Sequence, residues 1–250
     1  MNAQWRLFVT ALRFCTYLRM TPFEGGAYAR PDDAGVGAAA RFMPLVGILI
    51  GAVGGGAYLL GALIWPTSVA VVMSMLATAL LCGSFRPPAL GMEPPSGAES
   101  RARAADVGVL GVVFAFVIKY NALMALSAAN LPFSLPPNIG LGLIMIAGHA
   151  ASRALVASVI ALPAEPASPR ASTPVSHVDL GISLAVGFAP AALMGIPGLV
   201  GLAAAIVARI CFTAYRRRNR KTGAVQELDF IQQLTELCFY LGAIASWTYA

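Results

Sequence analysis

PLVGILIGAVGGGAYLLGALIW, Pro44 to Trp65, carries no charged side chain over its whole length. At about 1.5 Å of rise per residue, a helix of this length covers the roughly 30 Å hydrocarbon core of a bilayer. Its reading as a membrane span, with Trp65-Pro66 at the far interface, decides the fold. Similar stretches follow: Thr67 to Phe85, Val107 to Ala128, Asn138 to Leu162, Leu180 to Met194, Pro197 to Tyr215 and Leu237 to Tyr249. The fifth span is short, and the last is short enough that its start can lie earlier, near Phe230. The expected fold is all-α, a polytopic transmembrane helical bundle of about seven spans, forming one membrane domain over residues 1–250.

Composition agrees. The chain is 58% hydrophobic and 11% charged, with a mean hydropathy of +0.74, whereas a soluble domain carries roughly 25% charged residues. A soluble globular domain is thereby excluded. The net charge of +6 is read as basic loops facing anionic lipid, not as nucleic-acid binding. Arg and Lys gather in the N-terminal region, 86–106, 163–179 and 216–236, while the turns near 66, 130–137 and 195–197 carry no charge. The alternation places the N-terminus in the cytoplasm.

Ahead of the first span, residues 3–20 (AQWRLFVTALRFCTYLRM) have a helical period. Trp5, Phe8, Leu12 and Cys15 share one face; Arg6, Thr10, Arg13 and Tyr17 share the other. This pattern predicts a basic amphipathic helix in the membrane interface, joined to the bundle by a connection ending at 43. The early arginines interrupt any apolar run, so no signal peptide is expected. Cys15, Cys82, Cys211 and Cys238 make no CxxC or Cys/His spacing, so neither a disulfide framework nor a metal site is indicated. Gly47, Gly51 and Gly55 recur every fourth residue and predict close helix packing inside the bundle.

Charged groups inside a bilayer are costly and need a reason. Lys119 lies well inside the third span. His149 and Arg153 sit one helical turn apart in the fourth, and Glu236 stands at the start of the last. One reading is a basic, membrane-embedded pocket for a phosphorylated or anionic ligand, with Arg153 as a bidentate clamp. The other is a buried Arg153–Glu236 pair with Lys119 snorkelling and His149 satisfied by a helix–helix hydrogen bond. Gln232-Gln233-Leu234-Thr235-Glu236 is expected to face the bundle interior. The run Arg216-Arg217-Arg218-Asn219-Arg220-Lys221 is an anchor on anionic lipid, or a phosphate-attracting lip. The polar interruption GSFRPPALGMEPPSGAESRARAADVG, Gly83 to Gly108, holds Arg86, Glu93, Glu99 and Asp106.

At these residues the chain resembles a known family. RLFVTALRFCTYLRMTP and AARFMPLVGILIGAV look like the opening of the adenosylcobinamide-GDP ribazoletransferases, the cobalamin 5′-phosphate synthases. LLCGSF, FVIKYNALMAL, AGHAASRALVASVIALP and TGAVQELDFIQQLTELCFYLG continue the likeness in order over nearly the whole chain. The resemblance implies a polytopic enzyme of the bacterial inner membrane. Such enzymes join α-ribazole or its 5′-phosphate to adenosylcobinamide-GDP, releasing GMP, in a magnesium-dependent attack on a diphosphate. It implies corrinoid and α-ribazole-type ligands, and makes Lys119, His149, Arg153, Gln233, Glu236 and Arg86 candidates for holding substrate or phosphate.

The sequence departs from the family pattern in the 83–111 loop, which stands in the family's active-site position. Arg86 occupies the histidine position, Pro88 and Ala104 occupy aspartate positions, and Asp106 replaces an arginine. Glu93 and Asp106, with Glu99, are the carboxylates left to hold Mg2+. The proline pairs 87–88 and 94–95 predict that no regular helix brings these acids together. Three functions follow: an active transferase with a rearranged acidic site, a non-catalytic paralogue acting as a binding or scaffold subunit beside an active copy or other late-pathway proteins, or a small transporter or corrinoid- or lipid-binding protein using the basic pocket.

Overall fold

The computed structural model describes residues 3–16, 37–82, 98–128, 136–162, 175–218 and 224–248, the backbone path alone for 98–108, 137, 224–227 and 247–248. Every element among them is helical. In chain order they are α1 (Ala3–Cys15), α2 (Met43–Ala62, entered through a 3-10 turn at Ala40–Phe42), α3 (Thr67–Cys82), α4 (Ala98–Ser127), α5 (Pro137–Ala161), α6 (His177–Leu193), α7 (Ile196–Arg218) and α8 (Ala224–Thr248).

Local chemistry sets several of these ends. Proline stands in the first turn of α2 and α5, where its missing N–H is no loss. Ser176 caps α6 by accepting a hydrogen bond from the Val178 amide, and Asp179 adds a negative charge in the first turn. Between α6 and α7 the chain reverses at Gly195, whose φ of 68° a side chain would resist.

Four stretches among the described residues are long and apolar enough to cross a membrane: Gly37–Ala62, Val109–Ser127, Asn138–Ala161 and Ile196–Arg218. Thr67–Cys82 and His177–Leu193 are shorter apolar helices. The apolar surface faces outward as well as inward: Leu49, Leu60, Leu63, Leu80, Leu110, Phe114, Val117 and Val207 are all exposed. An exterior of this kind suits lipid and would be a liability in water. Central to the bundle is α5, whose apolar window is 78% buried against 17% for α4 and 22% for α7.

The glycine stripe puts α2 on α5. A Cβ added at Gly47 would lie 2.4 Å from the His149 carbonyl oxygen, and one at Gly51 would lie 2.5 Å from the Ile146 Cα. Gly55 faces Gly142 in the same way, at 3.0 Å. Small residues here let two backbones touch, as the four-residue repeat predicts. One apolar cluster joins Tyr58, Leu123, Leu141, Met145, Phe239 and Tyr240. A second seats α1, through Leu12 and Cys15, on Met43, Val46, Ile50, Val156 and Ile231. The inward face of α1 is therefore the expected one from Phe8 onward, but Trp5 is 52% exposed, its ring tilted against Phe8.

Two expectations are corrected. The 83–111 stretch is not all loop, because α4 begins at Ala98 and carries Glu99 and Asp106 on one continuous helix. The helix-breaking prolines of this stretch end at Pro95, and no proline follows until Pro132. Likewise α8 begins at Ala224 and not near 237, so most of the polar stretch before the last apolar run is helix. Its polar residues Gln232, Thr235 and Glu236 are buried, as expected of a stretch facing the bundle interior.

Candidate functional site

Four helices bring polar groups to one place. α3 contributes Thr78 and Cys82, α4 contributes Lys119, α5 contributes His149, and α8 contributes Gln232, Gln233 and Glu236. Together with Met75, Ala79, Ala115 and Phe116 they line a small cleft of about 20 Å3 that is partly open to the outside. The cleft lies at the last turn of α3, where the described chain stops at Cys82 and residues 83–97 follow in sequence.

The helical repeat explains the α8 contribution. Gln232, Glu236 and Tyr240 are spaced by four and so share one face. Gln232 Nε2 donates to Glu236 Oε2 at 2.8 Å, and the Tyr240 hydroxyl donates to Oε1 at 3.2 Å. Lys119 Nζ donates to the same Oε1 at 2.5 Å. Both side chains of this ion pair are largely buried, at 15% and 5% exposure. Glycine makes the approach feasible: a Cβ on Gly148 would lie 2.7 Å from the Tyr240 ring. The carboxylate is thus fully occupied, and Lys119 does not snorkel out of the bundle.

His149 is placed differently from the expectation that a helix–helix hydrogen bond satisfies it. It is 2% exposed, and neither ring nitrogen has a hydrogen-bond partner among the described residues. Nε2 lies 3.4 Å from Glu236 Oε1, within ion-pair distance but outside hydrogen-bond geometry. Buried polar groups normally find partners, and this imidazole, buried in the wall of the cleft, has none among the described residues.

Arg153, one turn further along α5, does not line the cleft and does not pair with Glu236. Its Nη2 donates to the Cys15 carbonyl at 3.2 Å and reaches Cys82 Sγ at 3.3 Å. The expected Arg153–Glu236 pair is therefore replaced by Lys119–Glu236, a partner choice that depends on where α4 packs and that no local spacing shows. Gln233 is in the cleft wall. Arg86 and Glu93 lie outside the described residues, and Asp106 is described by backbone only.

Other polar links were not singled out by the sequence pattern. Arg209 donates through Nε to Ser158 Oγ at 3.1 Å and through Nη2 to the Ser158 carbonyl at 3.2 Å. Arg41 pairs with Asp179 at 3.0 Å, also bonds Gln4, and stacks over Phe42. An arginine inside the Pro197–Tyr215 run was the available signal for the first. A tyrosine four residues after Glu236 was the available signal for Tyr240.

A magnesium ion needs hard oxygen ligands. The cleft supplies one carboxylate, Glu236, and an ammonium already sits 2.5 Å from it. Among the described residues no group of three His, Cys, Asp or Glu side chains could hold a metal ion. The cleft as built does not fit magnesium.

The fold and site define a helical membrane protein with a buried Lys–Glu–Gln–Tyr constellation beside an open histidine. The family described as cobalamin-5-phosphate synthase matches residues 7–86. An adenosylcobinamide-GDP ribazoletransferase of Leptothrix cholodnii is 32% identical over an alignment of 265 positions, covering 96% of this chain and 95% of that protein. Its counterpart in Shewanella amazonensis is 30% identical, covering 97% and 96%. One from Ralstonia nicotianae is 36% identical over about half of each chain. No solved structure matches. The chain belongs to the adenosylcobinamide-GDP ribazoletransferase family.

Proposed function

We propose that this protein joins an α-ribazole-type nucleoside, or its 5′-phosphate, to adenosylcobinamide-GDP. A hydroxyl oxygen of the ribazole loses its proton to solvent and bonds to phosphorus, and GMP leaves with the electron pair of the broken P–O bond. The observation that carries this reading is the cleft bearing Lys119, His149, Gln233 and Glu236 at the end of α3, in a chain aligned over nearly its full length with proteins named for that transfer. Arg86 is assigned to the phosphates, since Arg forks match phosphate oxygens. Magnesium falls to Glu93 and Asp106 in this proposal, and the cleft takes no part in holding it.

The protein is proposed to be one domain over residues 1–250 with about seven spans, one for each helix from α2 to α8. The charge alternation supports an N-terminus on the cytoplasmic side of a bacterial inner membrane, with Arg216–Arg218 on anionic lipid. Purified protein, magnesium and the two substrates should yield adenosylcobalamin or its phosphate by chromatography. No product, while the Leptothrix cholodnii relative is active in the same assay, would sink the reading. Pro88 and Ala104 at the family's aspartate positions favour a second reading, a binding subunit without turnover. It expects co-purification with an active copy.

A further inference from the structure

We propose that the outward face of α4 pairs with the same face of a second copy of this chain inside the membrane, the two Asn121 carboxamides bonding across a twofold axis. Of the four long apolar stretches, the one in α4 is the least enclosed, with 17% of its window buried. Phe116, Lys119, Leu123 and Leu126 turn inward. Leu110, Phe114, Val117 and Asn121 are exposed and follow one another at four, three and four residues, which sets them in one stripe along the helix. Three of these are as apolar as lipid, but Asn121 is a carboxamide. It stands six residues inside the Ser127 end of the window, about 9 Å at 1.5 Å of rise per residue. Its Nδ2 donates to the Val117 carbonyl at 2.8 Å, and its Oδ1 makes no hydrogen bond to any described residue. Acyl chains offer it no partner.

Self-complementarity identifies the occupant. A carboxamide carries both donors and an acceptor, so Asn121 is satisfied when a second copy brings the same residue to the same depth. A twofold axis along the membrane normal does that, because it runs the two α4 helices parallel and sets each residue opposite its equivalent. The charge on this face permits the pairing. Lys119 is the one charged side chain of the Val109–Ser127 window, and Glu236 holds it on the inward side at 2.5 Å, so the two faces meet without like-charge repulsion. Shape permits it as well. Ala125, one turn beyond Asn121, is exposed, and a Cβ on Gly111 would meet nothing within 4 Å. Small residues let membrane helices approach closely enough for side chains to bond across them. Pairing here supports, from behind, the helix that carries Lys119 and leaves the cleft of each copy clear.

Energy transfer between copies tests this, with the purified full-length protein labelled in separate donor and acceptor batches, mixed in liposomes and diluted with lipid. The expected result is a dimer whose dissociation constant rises about fivefold or more in Asn121→Leu. Asn121→Gln, which keeps the carboxamide, should recover part of that loss. A second measurement locates the face. In a background with Cys15, Cys82, Cys211 and Cys238 replaced by serine, Val117→Cys and Ala125→Cys lie one turn to either side of Asn121. Both should give disulfide-linked dimers when the membranes are oxidised with copper phenanthroline. Val207→Cys, on the exposed side of α7, should not. These variants keep Asn121, so they decide the matter even if Asn121→Leu fails to fold. Energy transfer no greater than random proximity gives, an unchanged dissociation constant in a folded Asn121→Leu, or cross-linking at Val207 equal to that at Val117 and Ala125 overturns the proposal.

Discussion

Lys119 and Glu236, 117 positions apart in the chain, meet at 2.5 Å across α4 and α8, and the bond also aligns Gln232 and Tyr240 on the same carboxylate. Breaking one side of a buried pair leaves a bare charge in a low-dielectric interior. Lys119→Met or Glu236→Gln should each destabilise by about 3–5 kcal/mol, and the double variant by less than the sum. Denaturant titration of the protein in detergent, followed by circular dichroism, measures this. Additive losses would show that the two groups do not depend on each other.

Close backbone packing makes a second, sharper contrast. Gly51 of α2 packs against α5, so the methyl group of Gly51→Ala would sit 2.5 Å from the Ile146 Cα, and backbone cannot step aside as a side chain can. Overpacking of this kind costs about 1–3 kcal/mol. Gly56, five residues on in the same helix, has nothing within 4 Å of an added Cβ. Gly56→Ala should be neutral or gain up to about 1 kcal/mol from lost chain entropy in the unfolded state. Equal effects of the two substitutions in thermal melts would refute the packing of α2 against α5.

Most of the bundle was legible because lipid imposes long apolar runs, and the Gly47–Gly51–Gly55 repeat even named the helix face that packs. The errors fall where polarity changes its meaning. Gln232, Thr235 and Glu236 face the bundle interior as their helical spacing implied, but the helix that carries them starts at Ala224, well before the apolar run. The identity of Glu236's partner was not legible, since Arg153 and Lys119 are equally basic and only packing chooses between them. His149 was visible as an intramembrane histidine, but its lack of partners is a property of the three-dimensional site.

A smaller effect is expected at the rim. Arg41 and Asp179 pair at 3.0 Å with side chains 22% and 29% exposed, and Arg41 keeps Gln4 and Phe42 as further contacts. Solvent screening holds such a pair below about 1 kcal/mol. Asp179→Asn should therefore shift the denaturation midpoint little, and the shift should shrink further in high salt. A loss as large as that of Glu236→Gln would mean that this link bears on the core and not on the rim.

Arg153 ties α1 to the bundle. Cys15 is the last residue of α1, so its carbonyl is one of the groups a helix end leaves without an internal partner. Arg153 Nη2 donates to it at 3.2 Å and also reaches Cys82 Sγ on α3, at 3.3 Å. The guanidinium therefore caps one helix while it touches another through the same Nη2, on a planar group that the compact ammonium of lysine does not reproduce. Hydrogen bonds to charged groups contribute about 1.5–3 kcal/mol, so Arg153→Lys should raise the open population of α1 by roughly ten- to a hundredfold. Cys15 is buried and supplies the probe. In a background with Cys82, Cys211 and Cys238 replaced by serine, alkylation of Cys15 by a membrane-permeant maleimide should speed up by that factor in Arg153→Lys. An unchanged rate would show that Leu12 and Cys15, through the apolar contacts of α1 with Met43, Val46 and Ile231, hold the helix in place without the arginine.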